Sequence, residues 1–175
     1  MFNSTMSDKT LSKAIQRVPI WMYTTFLSVL ILFSVAFYLM STVQTASTDV
    51  GEKKRIVLPD GSKVLLNSNA SISFKKSDWF SGNKMLQLNG EAYFKVKNGA
   101  TFTIVTNTSV IYDVGTAFSV NSQQNAIEIT CFKGVVKLKN NAQEILVPET
   151  MSYKKTANNI YQINKAINLT PSWIE

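Results

Sequence analysis

The uncharged run from Ile20 to Met40 constrains this chain more than any other feature: Ile20-Trp21-Met22-Tyr23-Thr24-Thr25-Phe26-Leu27-Ser28-Val29-Leu30-Ile31-Leu32-Phe33-Ser34-Val35-Ala36-Phe37-Tyr38-Leu39-Met40. A helix rises about 1.5 Å per residue, so this run matches the roughly 30 Å hydrocarbon core of a bilayer. A buried helix of a soluble domain is the competing reading, but it would need an apolar surface to receive it. The strand-patterned sequence downstream supplies its own apolar faces and needs no such helix. The expectation is therefore a transmembrane helix over residues 20–42. Trp21 and Tyr23 at one end and Tyr38 at the other stand where aromatic rings favour the membrane interface, and the Thr and Ser hydroxyls can bond back to helix carbonyls.

Flanking charge sets the expected orientation. Lys9, Lys13 and Arg17 precede the span, with Arg17 almost at its boundary, whereas the first charge after it is Asp49, followed by Lys53, Lys54 and Arg55. This bias favours a cytoplasmic N-terminus. A cleaved signal peptide would carry an apolar core of about 7–15 residues ending in an A-x-A-like site. The run here is longer, and Thr45-Ala46-Ser47 is a weak match, so an uncleaved anchor is expected.

Composition removes whole classes of chemistry. Histidine is absent and Cys131 is the one thiol, which excludes His-based triads, Cys/His metal clusters and disulfide frameworks. Cys131 follows Ile127 and Ile129 at strand spacing and reads as a small buried hydrophobe. The net charge of +7 is scattered over Lys53-Lys54-Arg55, Lys75-Lys76 and Lys154-Lys155, as expected of solvated strand ends. It forms no aromatic-interleaved basic stripe, which disfavours nucleic acid as a partner.

Beyond the span the hydropathy period changes from helix to strand. Ile56, Leu58, Val64, Leu66, Ile72 and Phe74 share one parity and would face one side of an extended chain. Their spacing suggests three short strands folded back on each other. The first turn, Pro59-Asp60-Gly61-Ser62, has proline to preset φ, aspartate to bond the backbone two residues on, and glycine for the left-handed position. Asn67-Ser68-Asn69 has similar chemistry. Leu86, Leu88, Ala92, Phe94 and Val96 alternate with Gln87, Asn89, Glu91, Tyr93 and Lys95, giving one long strand with Gly90 at its middle. A glycine there signals a bulge, a bend or close approach of another backbone. Further strands are predicted at Phe102–Thr106, Ser109–Val114, Thr116–Val120, Ala126–Phe132, Val135–Lys139, Glu144–Val147 and Met151–Lys155. Trp79-Phe80 falls in a predicted loop, either as a lid under the sheet or as a contact patch, the lid being the simpler reading.

The expected fold class is all-β, with short antiparallel strands in a sandwich or solenoid-like stack preceded by one transmembrane α-helix. The expected organisation is a cytoplasmic tail (1–19), the span (20–42), a linker (43–53), the β domain (54–156) and a C-terminal tail (157–175).

Four fragments in order carry a resemblance: Val57-Leu58-Pro59-Asp60-Gly61-Ser62 with Leu66-Asn67; Leu88-Asn89-Gly90-Glu91-Ala92-Tyr93-Phe94-Lys95-Val96; Val114-Gly115-Thr116-Ala117-Phe118-Ser119-Val120; and Phe132-Lys133-Gly134-Val135-Val136. Together, over about Arg55 to Tyr153, they resemble the FecR family. The resemblance implies a periplasmic all-β domain in an inner-membrane regulator. Such a regulator passes signals from a TonB-dependent outer-membrane receptor to a cytoplasmic sigma factor of the extracytoplasmic-function class, usually in iron-siderophore or glycan uptake. It implies no cofactor, no metal and no small-molecule substrate.

The motif residues themselves read as structural. Glu91 lies on the polar parity with no second carboxylate close in sequence, which suits a solvated or strand-paired role better than acid/base chemistry. Gly115-Thr116 and Gly134 read as bends between strands, because neither opens a helix that could cradle phosphate.

Two departures from the family pattern stand at the ends. Met1 to Pro19 is too short to bury a core of its own, so the usual helical cytoplasmic domain is expected to be missing. A single amphipathic docking helix along Leu11, Ala14, Ile15 and Val18 would fit there. Ser172-Trp173-Ile174 resembles the opening of the family's short receptor-contacting domain, expected here to be truncated. The alternative to a signalling protein is an envelope scaffold whose β domain binds a neighbouring protein or cell-wall glycan. An enzyme acting through Glu91 is a distant third.

Overall fold

The computed structural model describes residues 19–97, 99–114, 116–123, 125–140, 143–156, 161–165 and 170–174. The docking helix expected along Leu11 to Val18 lies outside these residues, as does Gly115. The chain divides into two compact units, Met1–Leu39 and Met40–Glu175.

The first unit contains most of α1 (Ile20–Ser41), whose 22 residues span about 33 Å at 1.5 Å per residue. It is apolar on every face, and none of its spanning window is buried against protein. Leu32 and Phe33, near its middle, are 68% and 71% exposed. Side-chain hydroxyls bond back into the helix: Thr24 Oγ1 donates to the Trp21 carbonyl (2.9 Å), Thr25 Oγ1 to Met22 (2.9 Å) and Ser28 Oγ to Thr25 (2.8 Å). That removes their polar groups from competition for water, as a lipid environment demands.

The second unit is all β apart from one short helix. Its elements are β1 (Val43–Ser47), β2 (Lys54–Val57), β3 (Lys63–Leu66), β4 (Ser71–Lys75), α2 (Lys76–Phe80), β5 (Met85–Lys95), β6 (Thr101–Val105), β7 (Val110–Val114), β8 (Ala117–Gln123), β9 (Ala126–Lys133), β10 (Val135–Asn140), β11 (Gln143–Pro148), β12 (Met151–Lys155) and β13 (Tyr161–Lys165). They form one sheet folded into two leaves that share β5. Leaf A runs β1-β4-β5-β6-β7-β10-β11, using the first half of β5; leaf B runs β2-β3-β5-β8-β9-β12-β13, using the second half. Successive hairpins alternate between leaves: β6–β7 in A, β8–β9 in B, β10–β11 in A, β12–β13 in B.

Burial follows parity, so each leaf turns one face to a common core. Phe94 of leaf B stacks on Phe118 (5.1 Å, 16°) and meets Phe102 of leaf A at 6.1 Å. Cys131 is buried in this core, in keeping with its apolar neighbours in sequence.

Residues 161–165, expected in the C-terminal tail beyond the β domain, instead extend leaf B as β13, paired with β12 from Met151↔Lys165 to Lys155↔Tyr161. Four more local readings need correction. Residues 43–47 are not linker: β1 pairs with β4 from Val43↔Lys75 to Ser47↔Ser71, and Ala46 packs against the core. The alternation in Val-Gln-Thr-Ala-Ser is too polar to announce itself as a strand. Secondly, β4 does not fold back on β3. The chain crosses from leaf B to leaf A through Asn69, whose φ is +52°. Buried Thr48 braces that crossing, its Oγ1 donating to the Asn67 carbonyl (2.6 Å) and accepting from the Ala70 N–H (3.0 Å). Thirdly, β5 and β6 run parallel (Met85↔Thr103 to Gln87↔Val105), because the chain leaves β5 at its leaf-B end and re-enters beside its leaf-A half. Finally, Trp79-Phe80 is not loop but the end of α2. Trp79 is buried between Phe74 (5.1 Å) and Phe102 (6.4 Å), while Phe80 points outward.

Candidate functional site

The first motif fragment is a turn whose parts hold one another. The Gly61 N–H donates to the Leu58 carbonyl (2.9 Å), closing a turn with Pro59 and Asp60 at its corners, and Gly61 adopts φ +86°. Asp60 Oδ1 accepts from the Ser62 N–H (2.9 Å), and the Leu58 N–H donates to the Ser62 carbonyl (2.8 Å). This is a type I turn followed by a left-handed glycine, which suits the twist of a hairpin. Buried Ser62 Oγ then accepts from the Lys97 N–H (3.1 Å), tying the turn to the far end of β5, and Leu58 enters the core.

In the second fragment the inward parity runs unbroken through Leu86, Leu88, Gly90, Ala92 and Phe94, so there is no bulge at Gly90. Close backbone approach is the reason for the glycine. A Cβ there would lie 2.7 Å from Ala70 Cα and 2.9 Å from the Asn69 carbonyl oxygen, with φ at +95°. Gly90 is thus the point where β5 passes from one leaf to the other beneath the β3–β4 crossing.

The third and fourth fragments meet each other. The chain crosses from leaf A to leaf B before β8, and from leaf B to leaf A at Gly134. A Cβ on Gly134 would lie 2.7 Å from Thr116 Cγ2, and its φ is +88°. Its N–H donates to Glu149 Oε2 (3.1 Å). The Thr116 carbonyl accepts from the Val96 N–H (2.9 Å), linking this crossing to the end of β5. Phe118, Val120 and Val136 fill the core.

Asn67 and Glu91 of the motif set are joined by hydrogen bonds on the outer face. The Asn67 N–H donates to the Glu91 carbonyl (2.9 Å), and Asn67 Nδ2 donates to Glu91 Oε2 (2.7 Å). The other carboxylate oxygen, Oε1, accepts from Trp173 Nε1 (2.8 Å). Lys53 Nζ in turn donates to the Trp173 carbonyl oxygen. Residues 170–174 therefore form a strap pinned across leaf B by one carboxylate and one ammonium. Beside the strap lies a polar groove of about 370 Å³, lined among others by Ser119, Asn121, Glu128, Thr130 and Phe132. Tyr93 has its ring 5.8 Å from Phe132 and itself lines a neighbouring groove, and burial pushes its phenol above the ordinary value of 10.0.

Topology brings a second carboxylate into that groove, which sequence spacing could not show. Glu91 is level with Asn121, and Asn121 with Glu128, so the two carboxylates stand two strands apart, about 9.6 Å at the usual strand spacing. Three of their four oxygens are engaged: Glu91 holds Asn67 and Trp173, and Glu128 Oε2 pairs with Lys154 at 3.1 Å. A general acid would need an apolar wall that keeps its proton at neutral pH, and this groove is open and polar. Among the described residues no three His, Cys, Asp or Glu side chains come together as metal ligands would.

Trp173 and Lys53 are the participants that the motif reading missed. Trp173 is 82 residues from Glu91, and only its side-chain contact reveals that it belongs to this face.

Comparison with known proteins places this arrangement. A family profile described as "FecR protein" matches residues 44–137. The fold is shared with two crystal structures from Parabacteroides distasonis, at 2.50 and 1.65 Å, each provisionally described as that of an anti-sigma factor. They superpose with TM-scores of 0.67 and 0.66 at 20% identity, covering 71% and 70% of this chain and 61% and 60% of theirs. The chain thus spans about six tenths of the length of those proteins. No curated protein matches it.

Proposed function

The chain belongs to the FecR family, and on that footing we propose that it is a membrane-anchored regulator that works through protein contacts and carries no chemistry of its own. The observation that carries this reading is the join of two parts: a charge-free helix long enough to cross a bilayer and, directly after it, the β domain matched by the family profile. The helix serves as an uncleaved single-pass anchor in the inner membrane, with the N-terminal residues in the cytoplasm and the β domain in the periplasm. The charge order Lys9, Lys13, Arg17 before the helix supports that orientation. The anti-sigma description of the solved structures with this fold supports a sigma factor as the cytoplasmic partner. In the full proposal that sigma factor is of the extracytoplasmic-function class. The periplasmic signal comes from a TonB-dependent receptor engaged in iron or nutrient uptake, and the anchor conveys occupancy or proteolytic release across the membrane.

The test is genetic and physical together. Deleting the gene is expected to change transcription of the transport genes under control of one sigma factor, and Met1–Pro19 is expected to capture that factor in a pull-down. Unchanged transcription with no captured sigma factor would remove the regulatory reading and leave an envelope scaffold. A C-terminal topology reporter that is active only in the cytoplasm would overturn the orientation.

A further inference from the structure

On the outer face of leaf B, at the end of β5 away from Gly90, three cations converge on one groove. Lys63 of β3 is directly opposite Lys95 of β5, and Arg55 of β2 is one register step away, opposite Leu65. Together with Tyr93, Leu65 and Ile174 they line a groove of about 330 Å³ whose wall contains no carboxylate. The ion pairs among the described residues, Lys137–Glu144 and Lys154–Glu128, lie elsewhere and leave these three cations without a carboxylate partner. Like charges placed directly across a strand pair destabilise a sheet. No carboxylate among the described residues compensates Lys63 and Lys95, so the compensation is expected from a further acidic group.

The strand bordering the groove is open on its far side. Among the described strands β2 pairs only with β3, so its second edge has unpaired backbone groups. Its outward side chains are Arg55 and Val57, and Val57 is 62% exposed. An open edge bearing Lys54 and Arg55 resists addition of a neutral or basic strand and attracts an acidic one. We infer that this edge and groove bind an acidic extended polypeptide. The peptide adds to β2, and its alternate carboxylates meet Arg55, Lys63 and Lys95. Side chains two residues apart on such a strand recur every 6.6–6.8 Å or so, the step from the level of Arg55 to the level shared by Lys63 and Lys95. The groove volume is that of about eleven waters at roughly 30 Å³ each, room for one or two carboxylate side chains. A sheet edge alternates main-chain donors and acceptors, which another strand satisfies in full while an anionic headgroup can only accept from the donors, and this favours a peptide over an anionic membrane. This surface stands on the geometry of the domain alone and goes beyond the regulatory reading, so its test leaves that reading untouched.

The full chain is embedded in phosphatidylcholine nanodiscs and titrated with a fluorescein-labelled peptide of alternating glutamate and threonine, read by anisotropy. Binding is expected at low salt, and it should weaken as the Debye length shrinks toward about 3 Å at 1 M. Lys63→Gln with Lys95→Gln should weaken it about fivefold or more, whereas Lys84→Gln with Lys139→Gln, on leaf A, should leave it unchanged. Thermal unfolding separates loss of the groove from loss of the fold, since removing a like-charge pair should hold or raise Tm. If that double variant does not fold, Arg55→Gln alone should weaken binding about twofold or more. Absence of binding, equal weakening by the leaf A substitutions, or capture of the nanodiscs by phosphatidylglycerol vesicles without peptide binding would each overturn the assignment.

Discussion

The two units of this protein are built from the same apolar residue types and satisfy them in opposite ways. In α1, Phe33 is 71% exposed and Leu32 68%; in the β domain, Phe94 and Ile104 are fully buried. Domain side chains find one another across the two leaves, so the hydrophobic effect there is internal. None of the helix's spanning window is buried against protein, and its backbone groups are closed by the helix itself, so its stable environment is lipid. What the difference teaches is that an apolar run says nothing about burial until its period is known. Period 2 with alternating polar residues makes its own core, while an all-round apolar helix borrows a solvent.

The largest expected effect would come from breaking that borrowed solvent. Leu30→Arg with Ile31→Asp, at the centre of α1, should cost about 5–7 kcal/mol of apparent insertion energy. Most of the protein should move from the alkali-resistant membrane fraction to the soluble one, and the Tm of the β domain should stay within a degree or so. A fall in Tm would show that the units are not independent. Next, Gly90→Ala should spare membrane insertion and strike the domain. A left-handed φ and a Cβ 2.7 Å from the Ala70 backbone predict a loss of about 2–5 kcal/mol, read as a Tm lower by roughly 10 °C. By contrast, Gly99→Ala meets nothing within 4 Å and should cost only the backbone term, about 1–2 kcal/mol.

Glu91→Gln should be milder again. The amide has one acceptor oxygen where the carboxylate offers two, so Asn67 and Trp173 both stay bonded only if Asn67 turns its amide to accept from the new NH2, and either way the charge behind both bonds is lost, at about 1–2 kcal/mol. Faster tryptic cleavage after Lys165 would report release of the strap. An unchanged digestion rate would show that Trp173 is held by something else. The smallest effect is on pH. Burial raises the Tyr93 phenol, so the folded chain keeps a proton that the unfolded chain begins to lose near pH 10. Its contribution is intact below about pH 10 and is lost as pH rises through the folded value. Tyr93→Phe should flatten that part of the stability profile relative to wild type.

The parity of Ile56, Leu58, Val64, Leu66, Ile72 and Phe74 was legible because alternation is a property of neighbours in sequence; the last five are buried and Ile56 packs partly buried against the core. The turn at Pro59-Asp60-Gly61-Ser62 was legible for the same reason. The destination of each strand was not. Alternation says which face is inner and is silent about which leaf the strand joins, so β4 could not be separated from β3. Gly90 announced an irregularity, yet only the position of Ala70 distinguishes close approach from a bulge. On the candidate face, Glu91 stood out through its motif and Trp173 through the Ser172-Trp173-Ile174 resemblance, whereas nothing local joined Trp173, Lys53 or Glu128 to Glu91.

Sequence alone therefore determined where the long lipid-suited helix lies, where apolar and polar residues clearly alternate, and that Gly61 and Gly90 lie at odd points of the backbone, because each follows from residues within one turn or one strand. Only the tertiary structure decided that the sheet divides at β5, that hairpins alternate between leaves, and that Glu91 meets Trp173 while Lys63 faces Lys95. Those are pairings between residues tens of positions apart, selected by a shared core that comes into being only when both leaves close upon it.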